Sequence, residues 1–285
     1  MRNEFTPLVS VVIPTFNYAH FLAEAIESVL AQTYTNFEII IVDNFSLDNT
    51  AELVGSFLDD RIKFLQFENK GSIAAARNFG WKNSSGELVA FLDADDSWYP
   101  MKLSSQVRLH VSNLAVSYHD LKLFGARRLG VAKGRWLRGN PTIQLLLGGN
   151  PIATSSVLLS RHLLDLSKGF PEALSVVSAE DLGLWLKLGD LGAGFAYLPR
   201  ILGQYRIHHS SASKGRSANA AREVTHEYRS KLSVKQLKKL DGWLAYAFAV
   251  SELPRVEKKK LYLDAVRNAS IRFKWRALFR LLLWG

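Results

Sequence analysis

The sequence predicts an α/β fold, in which a mainly parallel central sheet is flanked by helices. Apolar, β-branched runs alternate four times with segments of helical periodicity in the first third of the chain. This alternation is typical of parallel sheets, which bind ligands at the carboxyl ends of their strands. The predicted elements are strands at 9–13, 37–42, 62–67 and 88–92, and helices at 18–32, 50–58, 72–81 and from residue 100.

The predicted boundaries in this region have local chemical causes. The first strand is expected to end at Pro14, because proline has no N–H to donate to a sheet. The second helix follows Asp48 and Asn49, residue types that cap helix N-termini. Turn residues 83–86 separate the third helix from the fourth strand. Polar residues follow the first, second and fourth strands, so we expect them to meet at one edge of the sheet.

Three carboxylates, those of Asp93, Asp95 and Asp96, directly follow the fourth strand. Crowded carboxylates repel one another, so the cluster indicates a divalent ion or a cationic partner. The motif contains oxygen ligands and neither thiol nor imidazole, which favours Mg²⁺ or Mn²⁺ over Zn²⁺. In an extended chain, Asp93 and Asp95 would face one side and Asp96 the other. The alternative is a solvated strand exit that binds nothing.

Two further groups of candidate residues lie in the less regular region after residue 100. Glu180 and Asp181 occupy the first turn of a predicted helix, where acidic residues also have the purely structural role of stabilising the helix dipole. Arg206, His208 and His209 follow the last predicted strand, and the histidines are either ligands or surface residues. The predicted elements here are strands at 154–159, 195–198 and 202–207, and a helix at 178–188.

Composition separates a neutral body from a basic tail. The chain has 285 residues and a formal net charge of +10, and residues 215–285 hold 16 Lys and Arg against 6 Asp and Glu. The whole excess therefore lies in the last quarter, which suggests chemistry in residues 1–214 and attachment through residues 215–285. The absence of cysteine excludes disulfides and thiolate metal sites. The first apolar run is too short for a signal segment or a membrane span, so we expect a cytoplasmic or membrane-surface protein.

The end of the basic tail has an amphipathic helical pattern. One stripe is basic and consists of Arg272, Arg276 and Arg280; a second is apolar and consists of Ile271, Trp275, Leu278 and Leu282. Residues 271–284 are thus predicted to lie on an anionic membrane surface. The alternative is a helix packed on the catalytic body with its basic face in water. No base-reading module is recognised, so we expect no nucleic-acid partner.

Seven motifs, taken together and in this order, resemble the family 2 glycosyltransferases of the GT-A fold. The resemblance covers residues 7 to about 214. It implies a nucleotide-sugar donor, Mn²⁺ or Mg²⁺ as cofactor, and inversion at the anomeric carbon. The motifs are VSVVIPTFN at 9–17, IVDN at 41–44, AARN at 75–78, LDADD at 92–96 with Trp98 and Pro100, GF at 169–170, AEDLGLWLKL at 179–188, and YRIH at 205–208 with Ser213.

The resemblance also implies roles for individual residues. Phe16 matches the aromatic position against the base, and Asp43 and Asn44 match the position that reads base and ribose; many relatives have Asp in place of Asn44. Arg77 matches the position near the diphosphate, and Asp181 matches the general base, with Glu180 as the second candidate. The predicted donor-binding residues are Pro14, Phe16, Asn17, Asp43, Asn44, Arg77, Asp93, Ala94, Asp95 and Arg206. The predicted metal ligands are Asp93, Asp95, Asp96 and His208.

The sequence therefore predicts a metal-dependent, inverting glycosyltransferase for surface polysaccharide or glycolipid assembly at the cytoplasmic membrane face. Its acceptor is expected to be a glycan or a lipid-linked sugar. One alternative is a catalytically silent nucleotide-sugar-binding or scaffold protein, against which the intact Asp93, Asp95 and Asp181 set argues. Another is a nucleotidyltransferase, which usually begins with a Gly-rich phosphate loop that residues 14–17 lack.

Overall fold

The computed structural model describes residues 6–110, 115–126, 130–208, 217–250 and 255–282. The candidate ligand His209, the proposed boundary at residue 214 and the last residues of the predicted membrane helix, 283–284, lie outside these ranges. The chain divides into two compact units. The first consists of 1–136, 151–170 and 190–210, and the second of 137–150, 171–189 and 211–285.

The first unit contains a mixed sheet, which confirms the α/β prediction. In the described residues the sheet has nine strands in the order β3-β2-β1-β4-β8-β6-β9-β5, with β7 paired to β6. The strands are β1 Val9–Thr15, β2 Phe37–Asp43, β3 Ile62–Gln66, β4 Leu88–Phe91, β5 Ser97–Trp98, β6 Ala115–Gly125, β7 Gly130–Ala132, β8 Leu158–Ser160 and β9 Gly194–Ile207.

Strand direction determines which loops lie at the same edge of the sheet. β3, β2, β1 and β4 are mutually parallel, so the carboxyl ends of β1, β2 and β4 share that edge. β8 is antiparallel to both β4 and β6, and β9 is parallel to β6. The residues that follow β4 therefore lie beside the residues that precede β8.

Helices cover the sheet and form most of the second unit. The helices are α1 Ala19–Leu30, α2 Thr50–Ser56, α3 Ile73–Lys82, α4 Lys102–Val107, α5 Pro141–Gly148, α6 Arg161–Ser167, α7 Glu180–Asp190, α8 Ser217–His226, α9 Val234–Ala249, α10 Arg255–Asn268 and α11 Ile271–Leu282. Three short 3-10 helices lie at Thr154–Ser156, Leu174–Val176 and Arg229–Lys231. No helix within the described ranges has the length and hydropathy to span a bilayer.

The core of the first unit surrounds β1, which is buried along its whole length. Leu22, Ile26 and Val29 of α1 belong to one buried cluster with alternate residues of β1 and β2. On α3, a Cβ added to Gly80 would lie 2.4 Å from Cγ1 of Val12. Glycine at this position therefore allows α3 to pack closely on β1.

The prediction that Pro14 ends the first strand is wrong, because β1 continues to Thr15. The carbonyl of Val12 accepts a hydrogen bond from the backbone of Leu92, so the backbone polar groups of Val12 face β4. The backbone of Pro14, two residues later, faces the same side, but β1 pairs with β4 only as far as Phe91. Since no ladder bond is required of Pro14 on that side, its missing N–H costs little.

Two predictions in the second half of the sheet also need correction. Residues 154–159 form a 3-10 helix and then β8, and the two predicted strands at 195–207 are one strand, β9. The less regular region after residue 100 also contains the eleven-residue strand β6, which was not predicted from the sequence. Buried polar residues such as Ser117 and His119 mask the apolar pattern of β6, because hydrogen bonds satisfy part of their polar groups inside the fold.

The second unit is helical in its described residues. α9 and α10 pack closely, since a Cβ added to Gly242 would lie 2.2 Å from the backbone nitrogen of Ala269. Phe273 and Ala277 of α11 are buried, and the ring of Phe273 lies 5.3 Å from that of Tyr246 in α9. One side of α11 thus packs within its own unit.

Candidate active site

The loops after β1 and β2 are joined to each other by hydrogen bonds. The backbone N–H of Asn17 donates to Oγ of Ser46 at 2.8 Å, and Oδ1 of Asn17 accepts from the backbone of Leu47 at 2.7 Å. Asn17 has a φ of 55°, a left-handed conformation that asparagine tolerates well. Next to it, Phe16 remains 47% exposed. An aromatic ring is therefore presented at the edge of the sheet where the sequence predicts a base.

Asp43 and Asn44 stabilise the loops at the same edge of the sheet through hydrogen bonds. Asp43 is 1% exposed, and its carboxylate accepts hydrogen bonds from the backbone N–H and the hydroxyl of Ser46. Oδ1 of Asn44 accepts from the backbone of Asn69 at 2.9 Å. Both side chains thus shape the loop after β2, and their direct contact with a base or ribose stays a prediction.

Residues 93–96, which we call the acidic turn, leave the sheet immediately after β4. The backbone N–H of Asp96 donates to the carbonyl of Asp93 at 3.0 Å, which closes the turn. The chain therefore turns here and does not stay extended, which was the condition for side chains that alternate between two faces. Asp93 and Asp95 are half-buried, whereas Asp96 is 1% exposed. Ala94, between the first two carboxylates, is also buried.

A buried arginine supplies the cationic partner that the crowded carboxylates require. Nη2 of Arg77 in α3 lies 2.7 Å from Oδ1 of Asp93. Arg77 is 3% exposed, and its guanidinium carbon lies 5.5 Å from the ring centre of Phe170. The pair joins α3 to the acidic turn, so a positive charge stands beside the carboxylates.

Asp95 is paired with His208, which follows β9. Nε2 of His208 lies 2.8 Å from Oδ2 of Asp95. Burial, together with the nearby Asp93 carboxylate, raises the pKa of Asp95. Nε of Arg206 donates to the backbone carbonyl of Asp95 at 3.0 Å, and its Nη2 pairs with Glu24 of α1. The acidic turn, β9 and α1 are thereby linked around Asp95.

Asp96 occupies a different environment from the other two carboxylates. Its Oδ2 accepts from Oγ of Ser155 at 2.6 Å, and its Oδ1 accepts from the backbone N–H of Arg206 at 2.9 Å. Burial, with Asp93 and Asp95 nearby, raises the pKa of Asp96 well above its usual range. Asp96 therefore faces the protein interior, with both oxygens engaged.

The predicted metal ligands fit a divalent cation in part. Within the described ranges, no three Asp, Glu or His side chains are already grouped to hold an ion. The donor atoms of Asp95 and His208 are 2.8 Å apart. Neighbouring ligands of an octahedral ion with bonds of about 2.1 Å stand about 3 Å apart, so this pair fits two adjacent positions. Water and substrate phosphates usually complete such a site.

Glu180 and Asp181 begin α7 in the second unit. The carboxylate of buried Glu180 accepts from the backbone of Ser178 at 2.7 Å, close to the helix start. Oδ2 of half-buried Asp181 accepts from Nδ2 of Asn150 at 2.7 Å. The amide donor therefore orients the carboxylate of Asp181. Its approach to the acidic turn stays a prediction.

Three residues that the motifs do not include organise the candidate site. Ser46 and Ser155 bridge segments that are far apart in sequence, and Glu24 holds the guanidinium of Arg206. A short serine-rich stretch at 154–156 is the only sequence signal for Ser155, and residues 154–159 instead suggested a strand.

Comparisons with known proteins identify the family. The sequence profile described as "Glycosyl transferase family 2" matches residues 10–142. UDP-Glc:alpha-D-GlcNAc-diphosphoundecaprenol beta-1,3-glucosyltransferase WfgD of Escherichia coli is 33% identical over 224 residues, which cover 76% of this chain and 83% of that protein. The chain therefore belongs to glycosyltransferase family 2 and is an enzyme of the glycosyltransferase class, as the motifs predict.

Solved structures confirm the GT-A fold. S. aureus TarS 1-349 in complex with UDP-GlcNAc matches with a TM-score of 0.66 at 20% identity, covering 93% of this chain and 82% of that one. Mannosyltransferase PcManGT from Pyrobaculum calidifontis, in complex with GDP-Man and Mn²⁺, matches with a TM-score of 0.67 at 16% identity, covering 98% and 81%. At these identities the likeness establishes the fold alone.

Proposed function

We propose that this enzyme transfers a sugar, with inversion, from a nucleoside-diphosphate sugar to a hydroxyl of a lipid-linked sugar or glycan. The observation that carries the proposal is the acidic turn itself. Paired carboxylates, a buried arginine and an imidazole converge there, at the carboxyl ends of parallel strands. Positive and metal-binding groups in one crevice suit a diphosphate, whose charge grows as the sugar leaves.

Different parts of this edge suit different parts of the donor. The exposed ring of Phe16 provides a surface on which a base can stack, and Asn17, Asp43 and Asn44 build the loops around it. Arg77 is held beside Asp93, where its positive charge can stabilise a diphosphate bound at the acidic turn. Pro14 and Ala94 are buried next to these groups in the sequence and are proposed to contact the donor through their backbones.

Mn²⁺ or Mg²⁺ is the proposed cofactor, with Asp95 as the principal ligand and Asp93 and His208 as further ligands. A bound cation supplies electrostatic stabilisation of the diphosphate oxygens. The Mn²⁺ in the structure of the Pyrobaculum mannosyltransferase supports this choice. Like the cation, Arg77 carries a positive charge, and its position beside Asp93 is fixed by the ion pair.

Asp181 is the proposed general base. Its carboxylate takes the proton of the acceptor hydroxyl while that oxygen forms a bond to the anomeric carbon. The bond from the anomeric carbon to the diphosphate oxygen breaks, and the nucleoside diphosphate leaves with the electron pair. Attack from the face opposite the leaving group inverts the configuration. The hydrogen bond from Asn150 orients the carboxylate for this transfer.

The acceptor is proposed from relatives and from the shape of α11. The Escherichia coli relative is named for an acceptor on a diphosphoundecaprenol lipid. On α11, two parallel rows of side chains are exposed. The apolar row consists of Ile271, Trp275, Phe279 and Leu282, which are 63–74% exposed. The basic row consists of Arg272, Arg276 and Arg280.

An apolar row beside a basic row suits one partner, the surface of an anionic bilayer. Aromatic and aliphatic side chains enter the headgroup region, and arginines pair with lipid phosphates. We therefore propose a peripheral contact at the inner face of the cytoplasmic membrane through residues 271–284. Such a contact would bring the enzyme to a lipid-linked acceptor without a spanning helix.

A donor screen followed by a transfer assay tests the proposal. Nucleotide sugars are first tested with Mn²⁺ or Mg²⁺ for an increase in melting temperature, since selective binding stabilises the folded state. Donors that bind are then incubated with synthetic lipid-diphosphate sugars, and products are analysed by mass spectrometry. We expect one added sugar with inverted configuration. Donor binding with neither transfer nor donor hydrolysis would favour the silent scaffold instead.

A further inference from the structure

The hydroxyl of Ser155 holds both ends of the acidic turn. It accepts a hydrogen bond from the backbone N–H of Asp93 at 3.1 Å and donates one to Oδ2 of Asp96 at 2.6 Å. The carbonyl of Ser155 accepts from Nε1 of Trp98 at 2.7 Å. One buried residue thus contacts the residue that begins the turn, the residue that ends it and the strand that follows.

Sheet topology explains how a distant serine reaches this turn. Ser155 lies 62 residues after Asp93, in the 3-10 helix directly before β8. β8 runs antiparallel to β4, with Ala90 opposite Leu158. The segment that enters β8 must therefore lie beside the segment that leaves β4.

Asp96 extends the connection from Ser155 to the end of β9. Its Oδ1 accepts from the backbone of Arg206, and Nε of Arg206 donates to the carbonyl of Asp95. His208 follows two residues later and meets the carboxylate of Asp95 at 2.8 Å. The contacts of Asp96 and Asp95 with Arg206 therefore join the end of β9, and with it His208, to the acidic turn.

We propose that Ser155 and Asp96 are positioning residues that hold Asp95 and His208 as a pair of ligands for a divalent cation. Both carboxylate oxygens of Asp96 are engaged by protein groups and the residue is 1% exposed. The side chain of Asp95 is 21% exposed, so Asp95 faces the site and Asp96 supports it. This inference rests on the proposed metal-dependent function, and it replaces the prediction that Asp96 is itself a ligand.

Binding of Mn²⁺ to the full-length chain tests the inference without an activity assay. Free Mn²⁺ is measured by electron paramagnetic resonance during titration with MnCl₂, with and without UDP. Ser155→Ala is compared with Ser156→Ala, a matched control, because Ser156 is equally buried and its hydroxyl donates to Ala153 instead of the turn. Asp96→Asn is compared with Asp96→Ala, because the amide keeps the shape of Asp96. Its oxygen can still accept from the backbone N–H of Arg206, and its nitrogen can donate to Oγ of Ser155 in place of the bond that the carboxylate accepts. Urea unfolding and circular dichroism verify that each variant is folded.

We expect Ser155→Ala and Asp96→Ala to weaken Mn²⁺ binding about tenfold or more, the usual effect of losing a group that orients a ligand. Ser156→Ala and Asp96→Asn should retain affinity within about fivefold, because the turn keeps its contacts. Should Ser155→Ala fail to fold, the two Asp96 variants carry the same comparison.

Equal affinities of Ser155→Ala and Ser156→Ala would overturn the inference. So would an Asp96→Asn variant that binds Mn²⁺ as weakly as Asp95→Asn, because that result would make Asp96 a ligand. In both cases the wild-type chain still binds the ion. A wild-type chain that binds no Mn²⁺, with or without UDP, would instead overturn the metal-dependent function and this inference with it.

Discussion

The acidic turn and α11 differ in how their charged side chains are exposed and paired. In the turn, Asp93, Asp95 and Asp96 each meet a protein group, and Asp96 is removed from water almost completely. On α11, the basic row and the apolar row both face outward, and large apolar side chains are more than 60% exposed. The charged groups of the turn are bound by other groups of the protein, whereas those of α11 are exposed and available to an external surface.

The difference indicates where function depends on geometry and where it depends on charge and area. A site that must place an ion within a few tenths of an ångström needs fixed side chains, and the turn has them. Contact with a fluid bilayer needs no such precision, so a helix with two suitable rows suffices. A substitution that changes only one or two atoms of a side chain should therefore strongly reduce metal binding or transfer in the site. On α11, the loss of membrane binding should instead grow with the number of side chains replaced.

Asp181→Asn should have the largest effect, because it removes the proposed base. We expect the rate of transfer to fall about 10²–10⁴-fold, while stabilisation by the donor is retained. Single-turnover kinetics and thermal shift measure the two quantities on the same preparations. Asp190→Asn, the same change at the other end of α7, is the control. Near-normal turnover of Asp181→Asn would remove this residue from the mechanism.

Asp95→Asn tests whether the acidic turn is a specific metal site and not merely a group of surface charges. We expect Mn²⁺ to lose most of its effect on donor affinity, by about 10–100-fold, because a principal ligand becomes neutral. Calorimetric titration of the donor with Mn²⁺ and with chelator measures this effect. Asp59→Asn is the control, because Asp59 pairs with Arg61 away from the turn. Identical donor affinities with and without chelator in the wild-type chain would refute a metal role.

The exposed face of α11 should respond in proportion to the groups removed. Trp275→Ser combined with Phe279→Ser should reduce binding to vesicles with anionic lipid about tenfold, because aromatic area leaves the headgroup region. Vesicle co-sedimentation measures this binding, and Leu58→Ser is the control, since Leu58 is 99% exposed in the first unit.

Charge on the same face is tested separately. Arg272, Arg276 and Arg280 changed together to glutamine should weaken the binding further at low salt, by about 1 kcal/mol for each arginine near the surface. Equal sedimentation of the wild type and of a chain truncated at residue 268 would show that α11 does not bind the bilayer.

A last prediction concerns the acid stability of the first unit. Burial, followed by the nearby Lys102 charge, lowers the pKa of His110 to about 4 and of His119 to about 3. Both histidines stay neutral in the folded state, whereas the unfolded chain takes up protons near pH 6.5. The unfolded state thus binds more protons below that pH, so stability is complete above pH 6.5 and declines as the pH falls towards 4.

Urea unfolding between pH 7.5 and 5 measures this decline. Each histidine should contribute up to about 1.4 kcal/mol per pH unit. His119→Gln should reduce the slope, whereas His162→Gln, at an exposed position, should leave it unchanged. A slope that neither substitution alters would assign the acid sensitivity to other groups.

The sequence was sufficient to predict the parallel half of the sheet and the edge that carries the candidate residues. β1, β2 and β4 are short apolar runs followed by polar residues, and periodicity alone locates them. The motifs also included Arg77 and His208, which pair with Asp93 and Asp95 of the acidic turn from α3 and from the end of β9.

Long-range contacts explain what the sequence missed. Whether Asp96 faces a ligand or the interior depends on Ser155 and on the backbone of Arg206, which lie 59 and 110 residues away. β6 is hidden for a related reason, because its buried Ser117 hydrogen-bonds to groups from other segments. Pattern reading treats a polar residue as exposed unless its partner is known.

Anomalous diffraction at the manganese absorption edge, from crystals containing Mn²⁺ and a nucleotide sugar, tests the central claim most directly. The account predicts one strong peak within about 2.5 Å of the Asp95 carboxylate, next to the donor diphosphate. A bound donor with the manganese peak elsewhere, or with no peak at all, would contradict it.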